Sequence, residues 1–342
     1  MKLPLLKDID VKGKRVFLRA DFDVPLKTIN NSQLTVDDDT RLKASLPTVQ
    51  YLLDQGATVI VAGHLGRPNG VIDKNFSLEP VAKWFSIKYQ VLSIKYENLQ
   101  DFNGWRINDN LFVLENLRFY EGEEANDPKF AQKLASLADV YINDAFSDSH
   151  RNHASITGVA KLLPHAAGLH LQKEIEVLSQ VIENPKRPLV VIIGGAKIET
   201  KLPLVEKMLS RADYVLVGGK LPMEEKIKQM VNEKLIVATL TPDGTDITDE
   251  SIEKFVEVIS KAGTIIWNGP MGKSEVGEKG TEAVANAVIE SNAYTIVGGG
   301  DTINSLQKLG IVEKFSFVST GGGAMLAFLS GEELPGLQAL LN

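Results

Sequence analysis

Short runs rich in Val, Ile and other apolar residues alternate along the chain with stretches whose apolar positions recur every three to four residues. The short runs predict strands at 15–19 (RVFLR), 57–63 (ATVIVAG), 111–115 (LFVLE) and 139–144 (DVYIND). Beyond residue 188 they predict further strands in PLVVIIGG, DYVLVGG, KLIVATL, TIIWNG, AYTIVGGG and FSFVSTGGG. The intervening stretches predict helices over 40–54, 78–86 and 128–138. Alternation of this kind predicts an α/β architecture with parallel sheets. The segment 169–188 stands apart. Its Leu171, Ile175, Leu178 and Ile182 share one helix face, and Asn184-Pro185 stops the pattern. It reads either as a helix joining two domains or as an ordinary crossover helix.

A chain of 342 residues is too long for one ordinary core and predicts two domains. The formal net charge of −7 disfavours nucleic acid as a partner. It leaves room for a small anion held by a local cluster of cations. There is no cysteine, which removes disulfide and thiolate chemistry and fits a reducing compartment. No apolar run approaches the length of a membrane span, and the first residues, MKLPLLKDIDVKGKR, lack the pattern of a secretory leader. These features predict a protein of a reducing compartment that binds neither nucleic acid nor membrane.

Ligands of open α/β sheets bind at the carboxyl ends of the strands, and the two halves of the chain differ there. In the first half the strand ends carry charge: Arg19 and Asp21, His64 and Arg67, Arg118, then His150, Arg151 and His153, with Arg41 after the stretch TVDDDT. Guanidinium forks match carboxylate and phosphate oxygens in pairs, so this half predicts a small, highly anionic substrate. In the second half the strand ends carry glycine: Gly194-Gly195, Gly218-Gly219, Gly269, Gly298 to Gly300 and Gly321 to Gly323. Bare backbone at the start of a helix suits a nucleotide polyphosphate.

The common phosphate motifs fail. A G-x-G-x-x-G fingerprint meets Ile303 or Leu326 where its last glycine belongs, and a Walker A loop ending at Gly272-Lys273-Ser274 meets Trp267 at its first. Two features remain. Lys197 and Lys201, in IIGGAKIETK, would share a face in the first turns of a helix. They read either as a phosphoryl clamp or as solvated charges. Asp301-Thr302 follows a triple glycine, where Asp301 serves either as a helix cap or as a Mg²⁺ ligand.

Taken in order, RADFDVPL, GHLGRP, LENLRF, NDAF with SHRNH, GGAKIETK, WNGPMG, GGGDT and STGGGA resemble the signature blocks of phosphoglycerate kinases over most of the chain. The resemblance implies two Rossmann-like lobes, each a parallel sheet flanked by helices, facing across a hinge cleft. Residues 1–170 would bind the triose phosphate acid, and 171–187 would form an interdomain helix. Residues 188–324 would bind the nucleotide, and 325–342 would return to the first lobe. It implies reversible phosphoryl transfer between 1,3-bisphosphoglycerate and MgADP, giving 3-phosphoglycerate and MgATP, a glycolytic reaction carried out by a cytoplasmic monomer.

By the same resemblance Asp21 meets the substrate's hydroxyl side, and Arg41 lies close to the transferring group. His64, Arg67, Arg118 and Arg151 surround the triose phosphate, with Arg19, His150 and His153 behind them. Lys197 and Lys201 serve the phosphoryl group from the nucleotide side. Gly195, Ala196, Gly219, Asn268, Pro270, Glu275, Gly300, Asp301 and Thr302 bind the nucleotide, with Glu275 at the ribose and Asp301 at Mg²⁺. Thr320 to Gly323, Gly321 and Gly322 among them, face the group in flight.

The sequence also departs from the family pattern. Asp23 stands where Asn is usual, so the acid site gains a carboxylate. Ser147-Asp148-Ser149 replaces Gly-Thr-Ala. On the nucleotide side Lys220 and Pro222 are foreign, the chain from Lys220 to Thr241 is short, Thr245 replaces a hydrophobic base contact, and Lys273-Ser274 replaces Val-Phe. These changes predict a shallower base pocket with weak ATP affinity and relaxed choice among purines. Two other readings are a kinase of a different small anionic acid, suggested by Asp23, and a degraded kinase kept as a binding protein.

Overall fold

The computed structural model describes residues 3–29, 33–230, 232–273 and 278–341. The chain divides into two compact units, 1–175 with 333–342, and 176–332. The division falls inside helix α2, Leu169–Glu183, which begins in the first unit and ends in the second.

Unit 1 is built on a seven-stranded sheet of β1 (Arg15–Arg19), β4 (Thr58–Ala62), β5 (Lys95–Leu99), β6 (Phe102–Asn108), β7 (Leu111–Leu114), β8 (Val140–Asn143) and β9 (His165–Ala167). A separate antiparallel hairpin pairs β2 (Leu26–Ile29) with β3 (Gln33–Val36). The sheet order is β5-β6-β7-β4-β1-β8-β9. β4, β1, β8, β9 and β7 run parallel, while β5 and β6 add an antiparallel edge. The chain steps from β1 outward to β4 and β7, then returns to the other side of β1 with β8. That reversal makes the carboxyl ends of β1 and β8 the switch point of the sheet. The parallel strands are apolar on both faces because helices cover both, and Val16, Leu18, Val59, Val61, Val113 and Ile142 are all buried.

Unit 2 carries a six-stranded, wholly parallel sheet: β10 (Leu189–Ile193), β11 (Tyr214–Val217), β12 (Leu235–Val237), β13 (Thr264–Asn268), β14 (Tyr294–Gly298) and β15 (Phe317–Ser319). Its order is β12-β11-β10-β13-β14-β15, so the reversal falls between β10 and β13. Trp267, Ile265, Val190, Phe255 and Val297 lie in its core. Each fully buried large side chain of this kind contributes about 1.5–3 kcal/mol. Three helices matter for the site: α3 (Ile198–Leu209) after β10, α4 (Gly300–Lys308) after β14 and α5 (Gly323–Ser330) after β15. The two apolar-run-plus-triple-glycine segments therefore end neighbouring strands, with Gly298 in register with Ser319.

Most sequence-predicted elements are present with edges shifted by a few residues. The helix at 40–54 is α1, Thr40–Asp54. The periodic helix at 169–188 ends at Glu183, just before Asn184-Pro185. A last helix, α6 (Pro335–Leu341), belongs to unit 1, where the Gly336 N–H donates to the Ser149 carbonyl at 2.8 Å.

Candidate active site

In unit 1 the carboxyl ends of β1, β4, β7 and β8 bring the sequence-predicted cations together. Arg19 closes β1 and is 1% exposed. Its guanidinium donates to the Ser155 hydroxyl at 2.9 Å, to the Asp148 carboxylate at 3.1 Å and to the Ala20 carbonyl, and it meets the His64 Nδ1 at 3.2 Å. Asp148 pairs with His64 at 3.2 Å and Arg151 at 3.1 Å as well. Burial alone would raise the Asp148 carboxyl, but His64, Arg19 and Arg151 together hold it well below its ordinary range. Asp21, two residues past β1, accepts from the Arg41 guanidinium at 3.1 Å and the Ser147 hydroxyl at 2.5 Å. Arg41 reaches it from the first turn of α1. That helix is entered through the acidic run, with the Asp38 carboxylate accepting from the Thr40 N–H at 2.9 Å.

Arg118 follows β7 and is 2% exposed. One terminal nitrogen donates to the Gly66 carbonyl at 2.7 Å, while the other, Nη2, is buried without a partner among the described residues. A buried, unspent guanidinium donor is costly unless something fills it, and an anion does so. Burial pushes the pKa of this arginine down. Burial, reinforced by Arg118, pushes His153 down to about 3, and burial with Arg151 lowers His150. Both imidazoles are therefore neutral near pH 7. Arg67 is exposed. Asp23 is held by the Gly66 N–H at 2.9 Å and lies 3.9 Å from His64.

In unit 2 the reversal between β10 and β13 builds the second constellation. Lys201, in the first turn of α3, is 7% exposed. Its ammonium donates to the Asn268 side-chain oxygen at 2.6 Å and the Asn268 carbonyl at 3.0 Å. Burial lowers its pKa from 10.5 to about 7; the Asp301 charge opposes this and Lys197 reinforces it. Lys197 caps α3 from outside the helix and is exposed, so the two lysines are neighbours but not partners on one helical face. Gly269, φ +99°, lies so close to Gly194 that an added Cβ would strike the Gly194 carbonyl and the Lys201 ammonium. Thr302 is fully buried and accepts from the Gly269 N–H at 2.7 Å, locking α4 to the end of β13. The Asn268 side-chain nitrogen is buried with no partner among the described residues.

Each triple glycine contains its own helix start. Gly299 (φ +95°) precedes α4 and Gly322 (φ +49°) precedes α5. Asp301 is accordingly inside the first turn, and the capping role falls to Gly299. The first-turn N–H groups of both helices have no intrahelical acceptor and lie at the positive end of the helix dipole. A cavity of about 320 Å³ is lined by Gly195, Ala196, Gly219, Lys220, Gly244, Thr245, Pro270, Gly272, Lys273 and Asp301. No cluster of three or more acidic or His side chains able to hold a metal occurs among the described residues. A lone Asp301 carboxylate beside a cavity fits Mg²⁺, which takes one or two protein carboxylates and completes its shell with phosphate and water.

Two stretches of the chain, 6–224 and 221–332, match the family model described as phosphoglycerate kinase. The chain belongs to the phosphoglycerate kinase family. It is 41% identical to the phosphoglycerate kinase of Dictyoglomus turgidum, covering 98% of this chain and 97% of that protein. It is 39% identical to the cytosolic phosphoglycerate kinase 3 of Arabidopsis thaliana, again over 98% of this chain and 97% of that protein. Among solved structures, the phosphoglycerate kinase of Pyrococcus horikoshii superposes with a TM-score of 0.83 at 30% identity, over 99% of this chain and 98% of that one. That of Coxiella burnetii gives 0.80 at 31%, over 99% of both. The alignment to the Dictyoglomus protein runs over 394 positions against 342 residues here, so at least 52, the difference, have no counterpart in this chain. The two family matches meet at 221–224, in the connection from β11 to β12.

The structure thus gathers Asp21, Asp23, Arg41, His64, Arg118 and Arg151 in unit 1, and Gly195, Lys201, Gly219, Asn268, Pro270 and Thr302 in unit 2. Ala196 and Asp301 line the unit 2 cavity. Glu275 lies outside the described residues. Sequence reasoning gave no role to Asp148, Ser147 or Ser155. The available signal was a carboxylate in the middle of a run of His and Arg, NDAFSDSHRNH. An acid so placed either pairs with its neighbours or repels the substrate.

Proposed function

We propose that this protein catalyses reversible phosphoryl transfer between 1,3-bisphosphoglycerate and MgADP, giving 3-phosphoglycerate and MgATP. Unit 1 holds the acid and unit 2 the nucleotide. The observation that carries the assignment is the buried, partnerless Arg118 donor inside a cluster with Arg19, Arg41 and Arg151, in a chain of this family. No alternative acid and no purely binding role draws support from the family match.

Phosphoryl transfer asks little covalent chemistry of a protein; it asks for positioning and for charge placed in advance. Arg41, steered by Asp21, presents a fixed guanidinium to the transferring group. Lys201 and the first-turn N–H groups of α4 and α5 supply donors from the nucleotide side, with Gly321 and Gly322 leaving that backbone bare. Lys197 adds a solvated charge. Asp301 would hold Mg²⁺, which neutralises phosphate charge when bound. Gly195 and Gly219 give the nucleotide a floor without side chains in the way, Pro270 adds an apolar wall, and Gly300 leaves the first turn of α4 bare.

The test is incubation with MgATP and 3-phosphoglycerate and capture of the acyl phosphate by hydroxylamine. Hydroxamate is expected from the native protein. Arg41→Ala should reduce it by about 10²-fold or more, the order seen when one preorganised transition-state donor is removed. Absence of hydroxamate from the folded native protein would refute the assignment.

A further inference from the structure

The nucleotide cavity has two chemically distinct ends. Strand order runs β11-β10-β13-β14. Residues after β11 therefore stand three strand spacings, roughly 14 Å, from those after β14. Asp301 and the α4 amino end mark the β14 side, and Lys201 with Asn268 lies between. A polyphosphate belongs there. The β11 side is formed by Lys220, whose N–H donates to the Gly195 carbonyl at 3.0 Å, and by the pair Thr245 and Lys273, joined by a backbone hydrogen bond of 2.8 Å. Neither ammonium reaches a carboxylate among the described residues. Among the described residues, the apolar side chains lining the cavity are Ala196 and Pro270. The Thr245 hydroxyl is already spent on Asp243 at 2.9 Å.

This end thus offers two ammonium groups, which only donate. Purines differ in what they present to such donors. Guanine, and equally hypoxanthine, offers two adjacent acceptors, N7 and O6; adenine offers N7 beside an amino group that itself donates. Two lysines can both be satisfied by the first pattern, while the second sets a donor against a donor. The lysine stems can pack along the ring as their heads reach its edge.

We propose that Lys220 and Lys273 are specificity-determining residues that make 6-oxopurine nucleotides substrates at least as good as adenine nucleotides. The inference rests on the nucleotide reading of this cavity given above. The experiment measures kcat/KM for GTP, ITP and ATP with 3-phosphoglycerate, and calorimetric binding of GDP and ADP, in the native protein and in Lys220→Met and Lys273→Met. GTP and ITP should equal or exceed ATP in kcat/KM. ITP should follow GTP, since both carry O6. Each substitution should lower the GTP-to-ATP ratio by roughly tenfold or more through KM, the scale of one hydrogen bond to a charged donor. ATP favoured over both oxopurines by tenfold, or a ratio unmoved in both variants, overturns the inference even in an active kinase. So does equal turnover of tripolyphosphate, which would make the lysines a phosphate site. Tighter GDP than ADP binding without turnover of any nucleotide would uphold the base preference set by the two lysines and refute the kinase assignment instead.

Discussion

Lys201 provides the sharpest test of the nucleotide site, because its charge state is set by burial. In the free protein Lys201 is 7% exposed and its pKa lies at about 7, down from 10.5. At pH 8, one unit above that value, roughly one molecule in ten carries the proton. A polyphosphate beside the ammonium favours the charged form and returns the pKa toward its ordinary value. Binding of MgADP at pH 8 must then take up close to one proton, about 0.9, against about 0.1 at pH 6. The sign follows directly. The bound state holds the proton over a window, from about 7 upward, in which the free state has lost it. Affinity should therefore rise as pH falls toward 7 and level off below it. Calorimetry in buffers of differing ionisation enthalpy reads the proton count as a slope, and Lys201→Met should flatten it. No uptake at pH 8 in the native protein, or the same uptake in Lys201→Met, would refute the reasoning. The free protein should show the companion effect. Its folded pKa is depressed, so the unfolded chain holds more protons between about pH 7 and 10.5, and this lysine's contribution makes stability rise with pH there.

Three further outcomes follow from the site. Asp23→Asn keeps an acceptor for the Gly66 N–H but removes a charge facing an anionic substrate; KM for 3-phosphoglycerate should fall by several-fold, on the order of 1 kcal/mol, and a rise would contradict the placement. Asp148→Asn leaves buried Arg19 without its carboxylate and should cost about 3 kcal/mol, read from the urea midpoint at constant slope. Gly269→Ala places a Cβ against the Gly194 carbonyl at a positive φ; a loss of about 1–3 kcal/mol and weakened nucleotide binding should appear together, and unchanged melting would show that the loop can shift.

Legibility in the sequence followed burial. The parallel strands of both sheets, β9 aside, could be read because most are covered on both faces and so are written as runs rich in Val, Ile and Leu. β5, KYENL, was missed because it lies on an exposed antiparallel edge, where alternation of polar residues is all that folding requires. β9, HAA, is too short and too small to carry a pattern. Within the site, the arginines and glycines stood out because few other residues suit those tasks. Asp148 did not, because its role depends on which cations three separate strands bring to it, and no local spacing records that. The capping position lies two residues before Asp301, at Gly299, and Lys197 lies one residue outside the helix it was expected to share with Lys201. The reason is that backbone conformation at Gly299 and at Lys197 itself, rather than side-chain chemistry, decides where those helices begin.

Helix α6 has a consequence for how the protein is made. It belongs to unit 1, yet in the chain it comes after all of unit 2. Its Gly336 N–H ties down Ser149, the residue between Asp148 and His150, and the backbone there leaves no room for a side chain on the glycine. On the ribosome, the loop that carries Asp148 and Arg151 is synthesised long before the helix that fastens it. The acid site is then the last part of the molecule to be completed, although most of its residues emerge first. A nascent chain halted after residue 332 would hold every arginine of the cluster and still lack the clasp on the loop between them.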